Sequence, residues 1–180
     1  MTFGRLKVVA RCGYYGRTTT WACECSCGNG VMLVDNPNRL KAIFDMVKSI
    51  DLRETALLVQ EYLDDRPGID LRVLVIGGRA IGAMQRTAKK GEYRANLAQG
   101  AVGSKVELTP AIASISEKIT QLLGLEFAGI DLLYKADQLV ILECNSSPGL
   151  KFESVCKINV VGEIADYVVS RINGYRSEAE

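Results

Sequence analysis

"FAGIDLLYKADQLVILECNSSPGL", residues 127–150, decides how this chain is read. Residues 127–134 and 138–145 are apolar enough for central strands, and Lys135-Ala136-Asp137 between them reads as a short turn. Acids are depleted in strands and are almost never buried without a partner. Yet Asp131 sits in the middle of the first strand, and Glu143 and Asn145 close the second. A turn centred on Asp137 sets Asp131 opposite Glu143. Asn145 then shares the face of Glu143, because strand side chains repeat every second residue. Two carboxylates opposed in a sheet repel, and burial raises the cost. A hard divalent cation removes the conflict. Mg²⁺ takes one or two carboxylates plus substrate phosphates, and an Asp, a Glu and an Asn carbonyl suit it. On this reading, converting Asp131 and Glu143 to amides leaves the fold intact and can even stabilise it by removing opposed charges. The competing reading is an exposed sheet end whose acids pair with Lys135 or Lys151.

Working outward, the same intrusion of polar residues recurs upstream. "ALLVQEYL" (56–63) is a strand that ends on Glu61 and Tyr62. "DLRVLVIGGRAIGAMQRTA" (70–88) is a hairpin turned by Gly77-Gly78, whose positive φ angles a tight turn needs. Asp70 and Arg72 share one face of its first strand; an acid there can bind ribose hydroxyls, or pair with the arginine at the surface. Residues 89–104 are polar and punctuated by Gly, and read as a loop. Arg86, Arg94 and Asn96 flank or occupy it, and forked arginine donors suit phosphate oxygens. "GVMLVD" (30–35) is a short strand, after which Asn36 caps a helix with Pro37 at its first position, running to about Ser49. Thr109 caps a second helix that Gly124 stops. Asn159 caps a last helix, expected to end at Gly174. The fold class is α+β, with mostly antiparallel hairpins and flanking helices.

The bulk numbers fit a globular chain of 180 residues: 48% apolar, 24% charged, with a net charge of +1 that argues against nucleic-acid binding. No run approaches the roughly 18 apolar residues of a membrane span. The N-terminus lacks the pattern of a signal peptide, so a cytoplasmic location is expected. The chain has no histidine, which removes Ser-His and Cys-His nucleophile systems. Four of its six cysteines fall in residues 1–29, a segment whose texture differs from the rest. Cys12, Cys23, Cys25 and Cys27 offer four thiolates to Zn²⁺, but Cys-x-Cys-x-Cys is tighter than the usual knuckle and favours free thiols. Cys144 and Cys156 read as core residues. The expected organisation is a Cys-rich segment over 1–29, a catalytic-type domain over 30–174 and a tail over 175–180.

Six strings, "GVMLVD", "VQEYL", "GIDLRVLVIGG", "KKGEYRANLAQGA", "FAGIDLLY" and "LECNSSPGL", stand in an order and spacing that resemble the RimK-like branch of the ATP-grasp ligases, over about residues 30–172. The resemblance implies an ATP-grasp fold. It also implies an ATP-dependent carboxylate–amine ligase working through an acyl phosphate, with an amino acid as one substrate and a protein or small molecule as acceptor. By position, Glu61 and Tyr62 match the adenine hinge and Asp70 the ribose contact. Arg94, Ala95 and Asn96 match the loop that meets ATP. Asp131, Glu143 and Asn145 match ligands of Mg²⁺, for which Mn²⁺ can substitute. Arg72 and Arg86 align with arginines expected on phosphate, in catalytic roles. No lysine sits where the family's phosphate-binding lysine is expected: "TTTWACECSC" precedes "GNGVMLVD", and Lys7 is too far upstream to be its obvious equivalent. The chain therefore reads as N-terminally truncated or rearranged. The alternatives are a catalytically impaired Mg-ATP-binding remnant, or part of a split ligase. A homo-oligomer is compatible with the resemblance.

Overall fold

The computed structural model describes residues 6–10, 31–49, 57–63, 65–97 and 100–178. The chain divides into two compact units, residues 1–64 and 65–180. Cys12, Cys23, Cys25 and Cys27 lie outside the described residues.

In the first unit, β1 (Leu6–Ala10), β2 (Val31–Val34) and β3 (Leu57–Glu61) form an antiparallel sheet ordered β2-β1-β3. The sequence reading had placed no strand at Leu6–Ala10, although "LKVVA" is apolar enough for one. Helix α1 (Pro37–Ser49) begins where the cap was expected: Asn36 Oδ1 accepts from the Arg39 N–H at 2.9 Å.

The second unit is a five-stranded antiparallel sheet ordered β6-β5-β4-β7-β8. Its strands are β4 (Ile69–Ile76), β5 (Arg79–Thr87), β6 (Val102–Val106), β7 (Phe127–Lys135) and β8 (Gln138–Asn145). Gly77 and Gly78 turn β4 into β5 with φ of +57° and +75°. Helix α2 (Pro110–Leu123) starts at Thr109, whose hydroxyl accepts from the Ile112 N–H. It stops at Gly124, φ +64°, where the Gly124 and Leu125 N–H groups close onto Gln121 and Thr120. That paired closure satisfies carbonyls the helix end would otherwise leave open.

Alternation along the strands sorts side chains onto two faces. Leu71, Val73, Val75, Ala80, Ala83, Ala128, Ile130 and Leu132 form one core with Ile112 of α2. Leu74, Ile76 and Met84 form a second core on the other face, with Phe152 and Cys156 of α3 (Lys151–Cys156) and Val160 of α4 (Val160–Glu178). Cys156 is buried and Cys144 packs half-buried against the first core, both as free thiols.

Three elements differ from the sequence reading. β6 begins within the last three residues of the expected loop and runs past its end; as an exposed edge strand it carries no buried alternation to betray it. α3 is six residues long, too short for a periodic signal, and rests on two anchors one turn apart, Phe152 and Cys156. α4 continues through Gly174 to Glu178, since glycine inside a helix costs only about 1 kcal/mol and does not compel an end.

The β7–β8 turn also differs. It holds two residues, Ala136 and Asp137, with φ of +49° and +60°. It pairs Lys135 with Gln138 and Leu132 with Ile141; a bulge at Leu142 then restores Asp131 opposite Glu143. Ala has little tolerance for positive φ. Here Asp65 accepts from the Ala136 N–H at 2.5 Å, Arg66 reaches Asp137 at 3.4 Å, and the Arg66 guanidinium lies 3.8 Å from the Tyr134 ring centre.

Candidate active site

The face of the sheet that carries the second core is divided lengthwise. One end is apolar and covered by α3 and α4; the other holds Asp70 and Arg72 of β4, Arg86 of β5, Asp131 of β7, and Glu143 and Asn145 of β8. Strand register puts these residues directly across from one another. Asp70 faces Arg86, Arg72 faces Asp131, and Asp131 faces Glu143.

The side chains then close into one network. Arg86 donates Nε and a terminal nitrogen to the two oxygens of Asp70, both at 2.6 Å, and that terminal nitrogen also reaches Asp131 Oδ2 at 2.7 Å. Arg72 grips Asp131 in the same forked manner, with both contacts at 2.6 Å. Its terminal nitrogen lies 3.6 Å from Glu143 Oε1. Asn145 Nδ2 donates to Glu143 Oε1 at 2.7 Å. Asp131 is 1% exposed, and Asp70 and Arg86 are also buried.

Burial pushes Asp131 above the ordinary carboxylate range; Arg86 and Arg72 pull it back, and the Glu143 charge adds to the rise. Burial likewise raises Asp70 against the pull of Arg86. For Arg86, burial works against the charge, but Asp131 and Asp70 outweigh it and the guanidinium is held more firmly protonated than usual.

This geometry corrects two expectations. Asp131 is not at an exposed sheet end, and its charged hydrogen bonds come from Arg72 and Arg86. The repulsion between Asp131 and Glu143 is met within the protein by Arg72 and Arg86, so neutralising the two acids does not relieve an open conflict. It strands arginines instead. The arginines are also the partners that the pairwise hairpin reading missed. The signal was present: Asp70, Arg72 and Arg86 fall on one face of their own hairpin once its Gly-Gly turn is fixed.

The remaining candidates fall on other segments of the chain. Arg94, Ala95 and Asn96 are half-buried on the segment between β5 and β6. Glu61 and Tyr62 belong to the first unit, exposed and half-buried respectively. Arg94 is held by a residue the sequence reading passed over. Glu92 takes its Nε at 3.0 Å and its terminal nitrogen at 2.7 Å, and also accepts from the backbone N–H groups of Tyr93 and Arg94. The Arg94 hydrogen bond, with smaller help from those backbone donors, lowers the Glu92 carboxyl to about 2. A depressed acid contributes stability above its unfolded value, about 4.3, and loses it as pH falls through the folded value. The Glu92–Arg94 clasp is therefore expected to persist well below pH 4. Carboxyl carbon NMR should place the Glu92 midpoint near 2, and Arg94→Ala should raise it toward the ordinary value of about 4.3. An unchanged midpoint in that variant would assign the shift to something other than Arg94.

Among the described residues no group of three or more His, Cys, Asp or Glu side chains is placed to hold a metal, and no helix is long and apolar enough to cross a membrane. Asp131, Glu143 and Asn145 nevertheless form an all-oxygen donor set of the kind Mg²⁺ takes, with Glu143 and Asn145 joined at the less buried end of the network.

Residues 18–168 match the model of the RimK-like ATP-grasp domain. A "Probable alpha-L-glutamate ligase" of Maridesulfovibrio salexigens is 37% identical over 142 residues, covering 78% of this chain and 46% of its own length. A "Probable alpha-L-glutamate ligase 2" of Hahella chejuensis is 36% identical over 146 residues, covering 81% and 47%. The chain thus spans about half the length of these relatives. Among solved structures, an ATP-grasp RimK domain protein of Sphaerobacter thermophilus superposes with a TM-score of 0.58 at 23% identity, covering 89% of this chain and 52% of that one. The D-alanine–D-alanine ligase of Bacillus anthracis gives 0.60 at 15%, covering 97% and 57%. The ATP-grasp ligase PsnB, complexed with a phosphomimetic variant of its minimal precursor, Mg and ADP, gives 0.59 at 19%, covering 91% and 46%. These likenesses show the shared fold, and the matched sequence carries the rest: the chain belongs to the RimK-like ATP-grasp family.

Proposed function

We propose that this chain is the ATP-binding part of a carboxylate–amine ligase, joining an amino acid to an amine-bearing or carboxylate-bearing acceptor. The observation that carries this reading is the arginine–carboxylate network at the polar end of the five-stranded sheet, within the residues that match the family model. The relatives named as glutamate ligases favour glutamate as the amino acid.

In the proposed reaction the γ-phosphoryl group of ATP passes to a carboxylate oxygen, giving an acyl phosphate and ADP. An amine then attacks the acyl carbon, and inorganic phosphate leaves. No protein nucleophile takes part, which suits a chain without histidine. The protein's share is placement and charge neutralisation. Asp131, Glu143 and Asn145 would hold Mg²⁺, which, when bound, offsets the phosphate charge. Arg72, less buried than Arg86, would serve phosphate through the terminal nitrogen that Asp131 does not engage, while its fork keeps Asp131 in place. Arg86 faces inward and acts on Asp131. Arg94 and Asn96, with Ala95 between them, would approach ATP from their segment, which for Arg94 means exchanging Glu92 for phosphate. Glu61 and Tyr62 would meet adenine.

The reading competes with that of a nucleotide-binding remnant, favoured by the absence of a lysine from residues 11–27, directly before "GNGVMLVD". Calorimetric titration with a non-hydrolysable ATP analogue, with and without Mg²⁺, is the first test of nucleotide binding. Binding that requires Mg²⁺ is expected, and turnover with glutamate and an acceptor then separates ligase from remnant. No binding up to millimolar analogue would sink the proposal for this chain.

A further inference from the structure

Residues 87–106 carry four bases, Lys89, Lys90, Arg94 and Lys105, and a single acid, Glu92. The charge of that acid works against any polyphosphate approaching the segment, yet its carboxylate sits where an anion is best received. Glu92 Oε1 accepts from the backbone N–H groups of Tyr93 and Arg94, at 2.9 and 3.2 Å, and from Arg94 Nε at 3.0 Å. Its Oε2 accepts from a terminal nitrogen of Arg94 at 2.7 Å. Two successive backbone donors and a guanidinium fork converging on two oxygens suit a phosphate group as well as a carboxylate. The backbone half of this cradle is seated. The Ala88 N–H donates to Gly68 O at 2.7 Å, and the Glu92 N–H donates to Lys89 O at 2.9 Å. A Cβ on Gly68 would stand 3.0 Å from Glu92 O, so the chain lies directly on that glycine. The parts left to move are the side chains of Glu92 and Arg94, 31% and 27% exposed.

We infer that Glu92 is an internal competitor: its carboxylate occupies the anion position offered by the Tyr93 and Arg94 donors, and a nucleotide phosphate group has to displace it. The inference rests on the proposed approach of Arg94 to ATP, and it fixes the sign of a charge effect. An acid that merely aimed Arg94 at phosphate would aid nucleotide binding, whereas a competitor opposes it. At neutral pH the carboxylate does not leave by protonation, because the Arg94 contact holds it near 2; another anion has to take its place. Both side chains are partly exposed, so displacement costs what ion pairs near the surface are worth, about two- to fivefold in affinity.

The test uses the full 180-residue chain as wild type, Glu92→Gln, Arg94→Ala and the double variant. Glutamine keeps the length and an acceptor oxygen for the backbone donors but removes the charge. Calorimetry with the non-hydrolysable ATP analogue plus Mg²⁺ is expected to show binding about two- to fivefold tighter in Glu92→Gln than in wild type, with adenosine binding unchanged. In the Arg94→Ala background the same substitution is expected to gain nothing. Unchanged or weaker analogue binding in Glu92→Gln overturns the inference, and so does an equal gain for adenosine. An undiminished gain without Arg94 also overturns it, making Glu92 a diffuse repulsive charge and not an occupant. The second readout is the Arg94 Nε–H resonance of the wild-type chain, which donates to Glu92 Oε1 and is expected to shift as the analogue binds. Mg²⁺-dependent binding that leaves this resonance unmoved keeps the ligase reading and overturns the inference. If wild type binds no analogue, the ligase reading fails, and inorganic triphosphate becomes the probe. An Arg94 Nε–H shift that saturates at lower triphosphate in Glu92→Gln than in wild type then supports the competitor. No shift, or saturation at equal or higher triphosphate, overturns it.

Discussion

Asp131→Asn lowers the stability of the chain by about 3–5 kcal/mol, the usual cost of breaking a buried ion pair from one side. Asp131 has no solvent to fall back on, and it accepts three charged hydrogen bonds, two from Arg72 and one from Arg86. An asparagine keeps the shape but loses the charge, and turns an NH₂ donor toward guanidinium donors. Arg72 can shift toward Glu143, only 3.6 Å away, but Arg86 is left with Asp70 alone. Urea unfolding followed by circular dichroism should show a lower midpoint with unchanged slope, the sign of lost stability in a two-state transition. Adding Glu143→Gln should deepen the loss, because it removes the carboxylate toward which Arg72 can shift. A double variant as stable as wild type would mean that the arginines do not depend on these acids. That would favour the opposite picture, in which the acids repel and wait for a cation.

Phe152→Ala is expected to cost a similar amount, about 3–5 kcal/mol, by opening a cavity in the second core. The ring is 1% exposed, packed with Leu74, Met84, Cys156 and Val160. It lies close under Gly82: a Cβ on that glycine would stand 3.3 Å from Phe152 Cζ. No other large side chain of α3 enters this core so completely, and α3 continues from the Ser146–Gly149 turn that ends β8. Phe152→Leu should cost less than the alanine change, because it keeps most of the packed volume. Thermal unfolding of the two variants gives the comparison. Equal losses would point to the aromatic ring itself, and negligible loss in both would mean that α3 is not anchored through Phe152.

The two cores were legible in the sequence to different degrees. Leu71, Val73 and Val75 alternate with Asp70, Arg72 and Leu74, and that period of two was enough to assign β4 and its faces. The caps at Asn36 and Thr109 and the stop at Gly124 were legible because each is a local exchange of hydrogen bonds within four or five residues. β6 and α3 were not, since an exposed edge strand and a helix of six residues carry too little burial to imprint a period. In the candidate site the residue types and their faces were visible, but their partners were not. Asp131 and Glu143 were correctly paired, whereas the bonds from Arg72 and Arg86 to Asp131 join residues 59 and 45 positions apart. Glu92 was overlooked although it stands two residues before Arg94, because an acid near an arginine in a polar segment is ordinary in any surface loop.

By itself, the sequence determined the antiparallel hairpins, the two sheet faces, the ends of α1's and α2's first turns, and membership in the family, because each is written in local periodicity or contiguous motif. Tertiary structure decided two things. It set the true register of the β7–β8 hairpin. "KADQ" contains no glycine to prescribe a tight turn, and Asp65 and Arg66 meet Ala136 and Asp137 there; the bulge at Leu142 then returns Asp131 to Glu143. It also decided what balances the buried acids. Charge compensation depends on which strands lie side by side, and only the order β5-β4-β7-β8 brings Arg86 and Arg72 onto Asp131.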